Sequence, residues 1–110
     1  MEFWLVLIMR KAIKIDKNDN VATSTSNLGI NETVEVLSPE GEIINTPTAL
    51  NAISFGHKIA LINFNIGDKI IKYGEVIGVA SKPIKIGEWI HTHNIESVTV
   101  PTSANMEAKT

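Results

Sequence analysis

Ile66-Gly67-Asp68-Lys69-Ile70-Ile71-Lys72-Tyr73-Gly74-Glu75-Val76-Ile77 is the stretch whose reading decides the fold. A glycine and an acid lead into a short apolar run at 69–72. A second glycine, Gly74, breaks the chain, and a further apolar run follows at 76–80. Such runs between glycine turns read as β-strands joined tightly. The opening is echoed twenty residues later in Ile86-Gly87-Glu88-Trp89-Ile90, again Ile-Gly-acid-x-Ile. In both places the glycine suits a turn that needs positive φ, and the acid begins the next strand.

Working outward, the same grammar holds along most of the chain. Residues 12–15 and 33–37 alternate, 21–26 are β-branched and small, and 42–44, 58–63 and 89–94 also read as strands. Turns are expected at 16–20 and 28–32, and Ser38-Pro39-Glu40-Gly41 reads as a hairpin turn. Thr46-Pro47-Thr48 could cap one short helix at 49–53. The fold class is therefore all-β, mainly strand with one short helix, and the echo suggests internal pseudo-symmetry. Residues 67–77 also evoke biotinyl and lipoyl carrier domains, but the short motif around a modifiable lysine is missing.

The chain has 110 residues, enough for one small domain with a modest core. With 44% hydrophobic and 20% charged residues it should fold. A net charge of −2 and 5% aromatic content argue against a nucleic-acid partner. There is no cysteine, so disulfide and thiolate chemistry are excluded. The apolar run 3–9 is far shorter than a membrane span of about 20 residues. Residues 1–10 are read as an N-terminal extension, with Met9 the expected natural start and an extra edge strand the alternative. Residues 11–96 form the domain, residues 97–110 read as a loose tail, and a cytoplasmic location is expected.

All three histidines fall in two short motifs, Gly56-His57-Lys58 and Gly87-Glu88-Trp89-Ile90-His91-Thr92-His93-Asn94. On a strand, His91 and His93 would face the same side, side by side, with Trp89 on that side as well. Two imidazoles so placed suit a metal ion, an anionic group, or acid–base chemistry; two solvated surface histidines are the plainer reading. Glu75, Glu88 or Glu96 could add a carboxylate to a metal site. Alternation sends His57 and Lys58 to opposite faces. Tyr73 stands before a turn glycine, where it could meet a hydroxyl or lie half-buried.

Taken in order, Asp19-Asn20-Val21-Ala22, Gly56-His57-Lys58-Ile59-Ala60-Leu61, Gly67–Gly74, Ile77-Gly78 and Gly87–Asn94 resemble the small N-terminal domain of the altronate and galactarate dehydratase family. The resemblance covers about residues 11–95. It implies a SAF-type β-clip domain, similar also to the small subunit of sulfolactate sulfo-lyase. It further implies a sugar-acid hydro-lyase dependent on a divalent metal, iron or manganese. Full-length family members continue into a much larger domain, so the expected arrangement is a small subunit with a large dehydratase subunit as partner, inactive alone. On this resemblance His57, His91 and His93 are the candidate catalytic residues, and His91 and His93 the candidate metal ligands. Lys58, Lys72, Tyr73 and Asn94 are candidates for binding the sugar acid. A non-catalytic sugar-acid-binding or adaptor module is the alternative.

Overall fold

A computed structural model describes residues 10–97, which form nine short strands and no helix. They are β1 (Arg10–Ile13), β2 (Val21–Ser24), β3 (Val34–Leu37), β4 (Ile43–Asn45), β5 (Lys58–Ala60), β6 (Lys69–Lys72), β7 (Glu75–Ala80), β8 (Trp89–Ile90) and β9 (Ile95–Ser97). Six of them form one sheet in the order β4-β3-β1-β2-β5-β8, and β6-β7-β9 form a second. β1 and β3 run parallel, and the other pairs are antiparallel. The expected start at Met9 and most of the expected tail lie outside the described residues, while Arg10 and Ser97 belong to strands.

Two apolar clusters lie on opposite faces of β2 and β5. Ala22 and Ile59 pack with Ala12, Val34, Val36 and Ile53 in one; Val21 and Ala60 pack with Phe64, Ile70, Ile84 and Ile90 in the other. Both faces of these strands are covered, which is why Val21-Ala22 and Ile59-Ala60-Leu61 read as unbroken apolar runs. The register Ile59↔Trp89 and Lys58↔Ile90 then assigns each side chain of β5 and β8 to a face.

Asp19 and Asn20 stitch the second sheet to the first. Asn20 Nδ2 donates to the Lys69 carbonyl, and its Oδ1 accepts from Ile71 N–H. The buried Asp19 carboxylate accepts from Gly74 N–H at 2.8 Å and from Asp16 N–H at 3.0 Å.

One turn recurs throughout. The N–H of its fourth residue donates to the carbonyl of the first, while a fourth-residue side-chain oxygen accepts the N–H of the first. The pairs are Asp16/Asp19, Gly29/Glu32, Asn65/Asp68, Lys85/Glu88 and His91/Asn94. Each side chain thus clamps its own turn. At 29–32, 65–68 and 85–88 the third residue has positive φ: Asn31 (71°), Gly67 (91°) and Gly87 (95°), the requirement of a type II turn. Asp68 and Glu88 are the acids of the echoed Ile-Gly-acid motif. The larger arrangement recurs too: Leu28 bridges Ile53 and Phe64 bridges Ile84. Asn27 Oδ1 accepts from Phe55 N–H as Asn63 Oδ1 accepts from Ile86 N–H.

Three expectations need correction. No helix forms at 49–53: the backbone groups of Ala49 bond with Asn31 and Glu32, Leu50 N–H reaches Gly87, and Ile53 pairs with Leu28. A five-residue helix would leave most of its own groups unpaired, and long-range partners satisfy them instead. The strand expected at 58–63 ends at Ala60, and that at 89–94 ends at Ile90, where the Asn94 clamp turns the chain into β9. β9 itself was not foreseen.

Candidate functional site

Residues 54–57 make the same turn, with His57 N–H donating to the Ser54 carbonyl at 3.0 Å and Gly56 at φ +85°. Here the clamping position holds a histidine. The turn is fixed from outside, chiefly by buried Ser24: its N–H donates to the His57 carbonyl, its carbonyl accepts from Gly56 N–H, and its hydroxyl donates to the Ser54 carbonyl. The imidazole is released from its own turn and meets Trp89, whose indole Nε1–H donates to His57 Nδ1 at 3.1 Å.

Trp89 is the centre of the cluster. It packs on the first core, and its backbone N–H is held by Asn51 Oδ1 at 2.9 Å. His91 stacks on it with ring centroids 5.2 Å apart and planes 11° off parallel. His93 lies 4.8 Å from it, and His57 lies 5.0 Å from His91. The three histidines and the tryptophan therefore converge, His91 and His93 on the exposed side. They are carried by a turn, not by the strand that their spacing suggested. Asn94 holds that turn: it is buried, its Oδ1 accepts from His91 N–H and its Nδ2 donates to the Trp89 carbonyl at 2.8 Å. Its amide is thus engaged with the backbone, which makes it a support of the turn that carries the imidazoles.

Lys58 leaves β5 on the opposite face from His57 and Trp89, as alternation requires. Burial, and then the nearby Lys72 charge, lower its pKa from the ordinary 10.5. Lys72 Nζ lies 4.8 Å from the centroid of the Tyr73 ring. Tyr73 (φ 57°) and Gly74 (φ 75°) form the two-residue hairpin between β6 and β7, with both residues left-handed. Asp19 and Asn20 anchor this hairpin. Their structural role was missed, although Asp19-Asn20 stood among the matched motifs.

A metal centre is not complete here. Among the described residues no group of three or more His, Cys, Asp or Glu side chains is placed to hold an ion. His91 and His93 offer two imidazoles where a protein site commonly needs three or four ligands. A cleft of about 700 Å³, lined by Lys14, Asp16, Lys17, Glu40 and Ile44 among others, includes none of the candidate residues.

Fold and site define a β-clip domain of SAF type that gathers imidazoles at one sheet edge. Residues 10–98 match the altronate/galactarate dehydratase SAF domain, and the chain belongs to that family. It is 38% identical over 89 residues to altronate dehydratase of Bacillus subtilis, covering 81% of this chain and 17% of that protein. It is 38% identical over 79 residues to galactarate dehydratase (L-threo-forming) of Escherichia coli, 71% of this chain and 14% of that enzyme. Over 50 residues it is 42% identical to the (2R)-sulfolactate sulfo-lyase subunit alpha of Paracoccus pantotrophus, 46% of this chain and 75% of that subunit. The chain thus spans a small fraction of the dehydratases it matches. No helix among the described residues is long and apolar enough to cross a membrane.

Proposed function

We propose that this chain is the small subunit of a cytoplasmic sugar-acid hydro-lyase that works with a separate large subunit. The observation that carries the reading is the histidine at position 57, where recurring turns elsewhere place a clamping oxygen, its ring turned toward Trp89 and the His91–His93 turn. The expected chemistry removes a proton α to a carboxylate, taken by a base of the large subunit, and expels the β-hydroxyl as water. One of His91 and His93, both exposed at this edge, donates a proton to the departing hydroxyl. Lys58 and Lys72, with Tyr73 beside them, lie on the other face of β5 and are available to a separate acidic group. The divalent ion, iron or manganese, binds in the assembled enzyme, with groups from outside these residues completing its shell. Phe55, 67% exposed on the His57 turn, offers an apolar contact for the large subunit.

The test is native purification of the complex, assayed with altronate, galactarate and sulfolactate for release of water or sulfite. Combined His91→Ala and His93→Ala substitutions should abolish turnover and leave the strand spectrum of the subunit intact. Full activity in that double variant would refute the assignment. The exposure of His91 and His93 also favours a second reading, a non-catalytic acid-binding or adaptor module. In that case the same substitutions raise KM and leave kcat nearly unchanged.

A further inference from the structure

We propose that Trp89 is a positioning residue that locks His57 in one neutral tautomer, making it a hydrogen-bond donor to the bound acid and removing it from proton transfer and metal ligation. An indole N–H can only donate. Since it reaches His57 Nδ1 at 3.1 Å, that nitrogen must carry a lone pair, and the proton of the neutral ring sits on Nε2. Metal-bound histidines show the opposite polarity: the ring nitrogen away from the metal donates its N–H to a carboxylate or carbonyl. Here it accepts, so Nε2 keeps its hydrogen and offers no lone pair. To accept a proton this ring would have to give up the indole bond; to lose one it would have to become an imidazolate. Neither suits an acid–base role, whereas a neutral Nε2–H donor suits a carboxylate or hydroxyl oxygen.

The geometry makes Trp89 the fixed partner. Its backbone N–H is held by Asn51, its carbonyl by Asn94, and its ring lies against the first core. His57 brings no clamp of its own to its turn, so its ring orientation depends on the indole. The division of roles rests on the reading of this edge as the acid-binding site, but the tautomer does not.

The experiment is a two-bond proton–nitrogen correlation spectrum of the whole chain, with 15N-labelled histidine, at about pH 8.5, where imidazoles are ordinarily neutral. His57 should show one tautomer, with Nε2 protonated and Nδ1 bare. In Trp89→Phe it should become a mixture of both. A His57 that carries Nδ1–H in the wild-type chain, or an unchanged tautomer in a folded Trp89→Phe, overturns the proposal. Should Trp89→Phe fail to fold, the wild-type chain still decides: a nitrogen–nitrogen coupling across the Trp89 Nε1–H to His57 Nδ1 bond is expected, and its absence overturns the proposal. In the complex, His57→Gln, which keeps an N–H donor, should hold acid several-fold more tightly than His57→Ala; equal loss in both overturns the donor role. An active complex with Nδ1–H His57 sinks this inference and spares the hydro-lyase reading. A complex with Nε2–H His57 that turns over no acid supports control of the tautomer by Trp89 and sinks the hydro-lyase reading.

Discussion

At Gly87 and Gly56 the backbone demands the same left-handed conformation, yet their surroundings differ. A Cβ on Gly87 would overlap the carbonyl oxygen of Thr48, whereas one on Gly56 meets nothing within 4 Å. Gly56→Ala should therefore cost only the conformational penalty, about 1–2 kcal/mol. Gly87→Ala adds a backbone displacement and should lower the urea midpoint by clearly more, and equal midpoints would refute the steric account. Lys58 makes a second prediction. Below its lowered folded pKa it is protonated folded and unfolded alike, so the cost of burying the charge beside Lys72 is fully present at neutral pH. Between that value and 10.5 the unfolded chain binds the extra proton, so stability rises with pH. Lys58→Met should stabilise the domain at pH 7 and remove this rise, as followed by urea unfolding at several pH values. Tyr73 is held at φ 57°, where asparagine or glycine is at ease. Tyr73→Asn should gain stability and, if the ring binds the acid, lose affinity.

The clamped turn is the element that the fold repeats, five times among the described residues. Removing one clamp, as in Asp68→Ala, leaves Asn65 N–H without its acceptor and should cost about 1 kcal/mol in denaturant unfolding. Installing one makes the reverse experiment. His57→Asp supplies the missing carboxylate to the turn at 54–57 and should melt no lower than the wild type, while the proposed acid binding is lost; a marked loss of stability would show that the histidine supports the fold. Much of this element was legible beforehand. Ile-Gly-acid announces a turn with positive φ because few other residues tolerate it, and Gly67 and Gly87 adopt it. The acid's clamp could have been read from its spacing three residues after an unpaired N–H, but the same step in Ser54-Phe55-Gly56-His57 escapes a search for acids. The strand expected at 89–94 failed for a related reason: His91 and His93 alternate like strand residues, and the stop comes from Asn94, whose amide is more useful to a turn than to a ladder. At 49–53 local helix signals lost to partners far away in sequence, which no local pattern reports.

At the scale of the molecule, β5 separates two sets of chemistry. Imidazoles gather on one face of its N-terminal end and the Lys58–Lys72 pair on the other, each set resting on a different core. The family resemblance pointed to these residues; their partition between faces was visible only as the alternation of His57 and Lys58. Exposed Phe55 beside this end leads to an assembly prediction: Phe55→Asp should weaken association with the proposed large subunit, read by sedimentation of the proposed complex, without lowering the melting temperature of the free chain. The recurring turn carries a wider consequence. His57 and Glu88 occupy the same step of two like units, Ile53–His57 opposite Leu28 and Ile84–Glu88 opposite Phe64. Redundancy of this kind lets one copy keep the architecture while its twin is at liberty to change, so new reactivity can be introduced at a site whose shape is already guaranteed by its sibling.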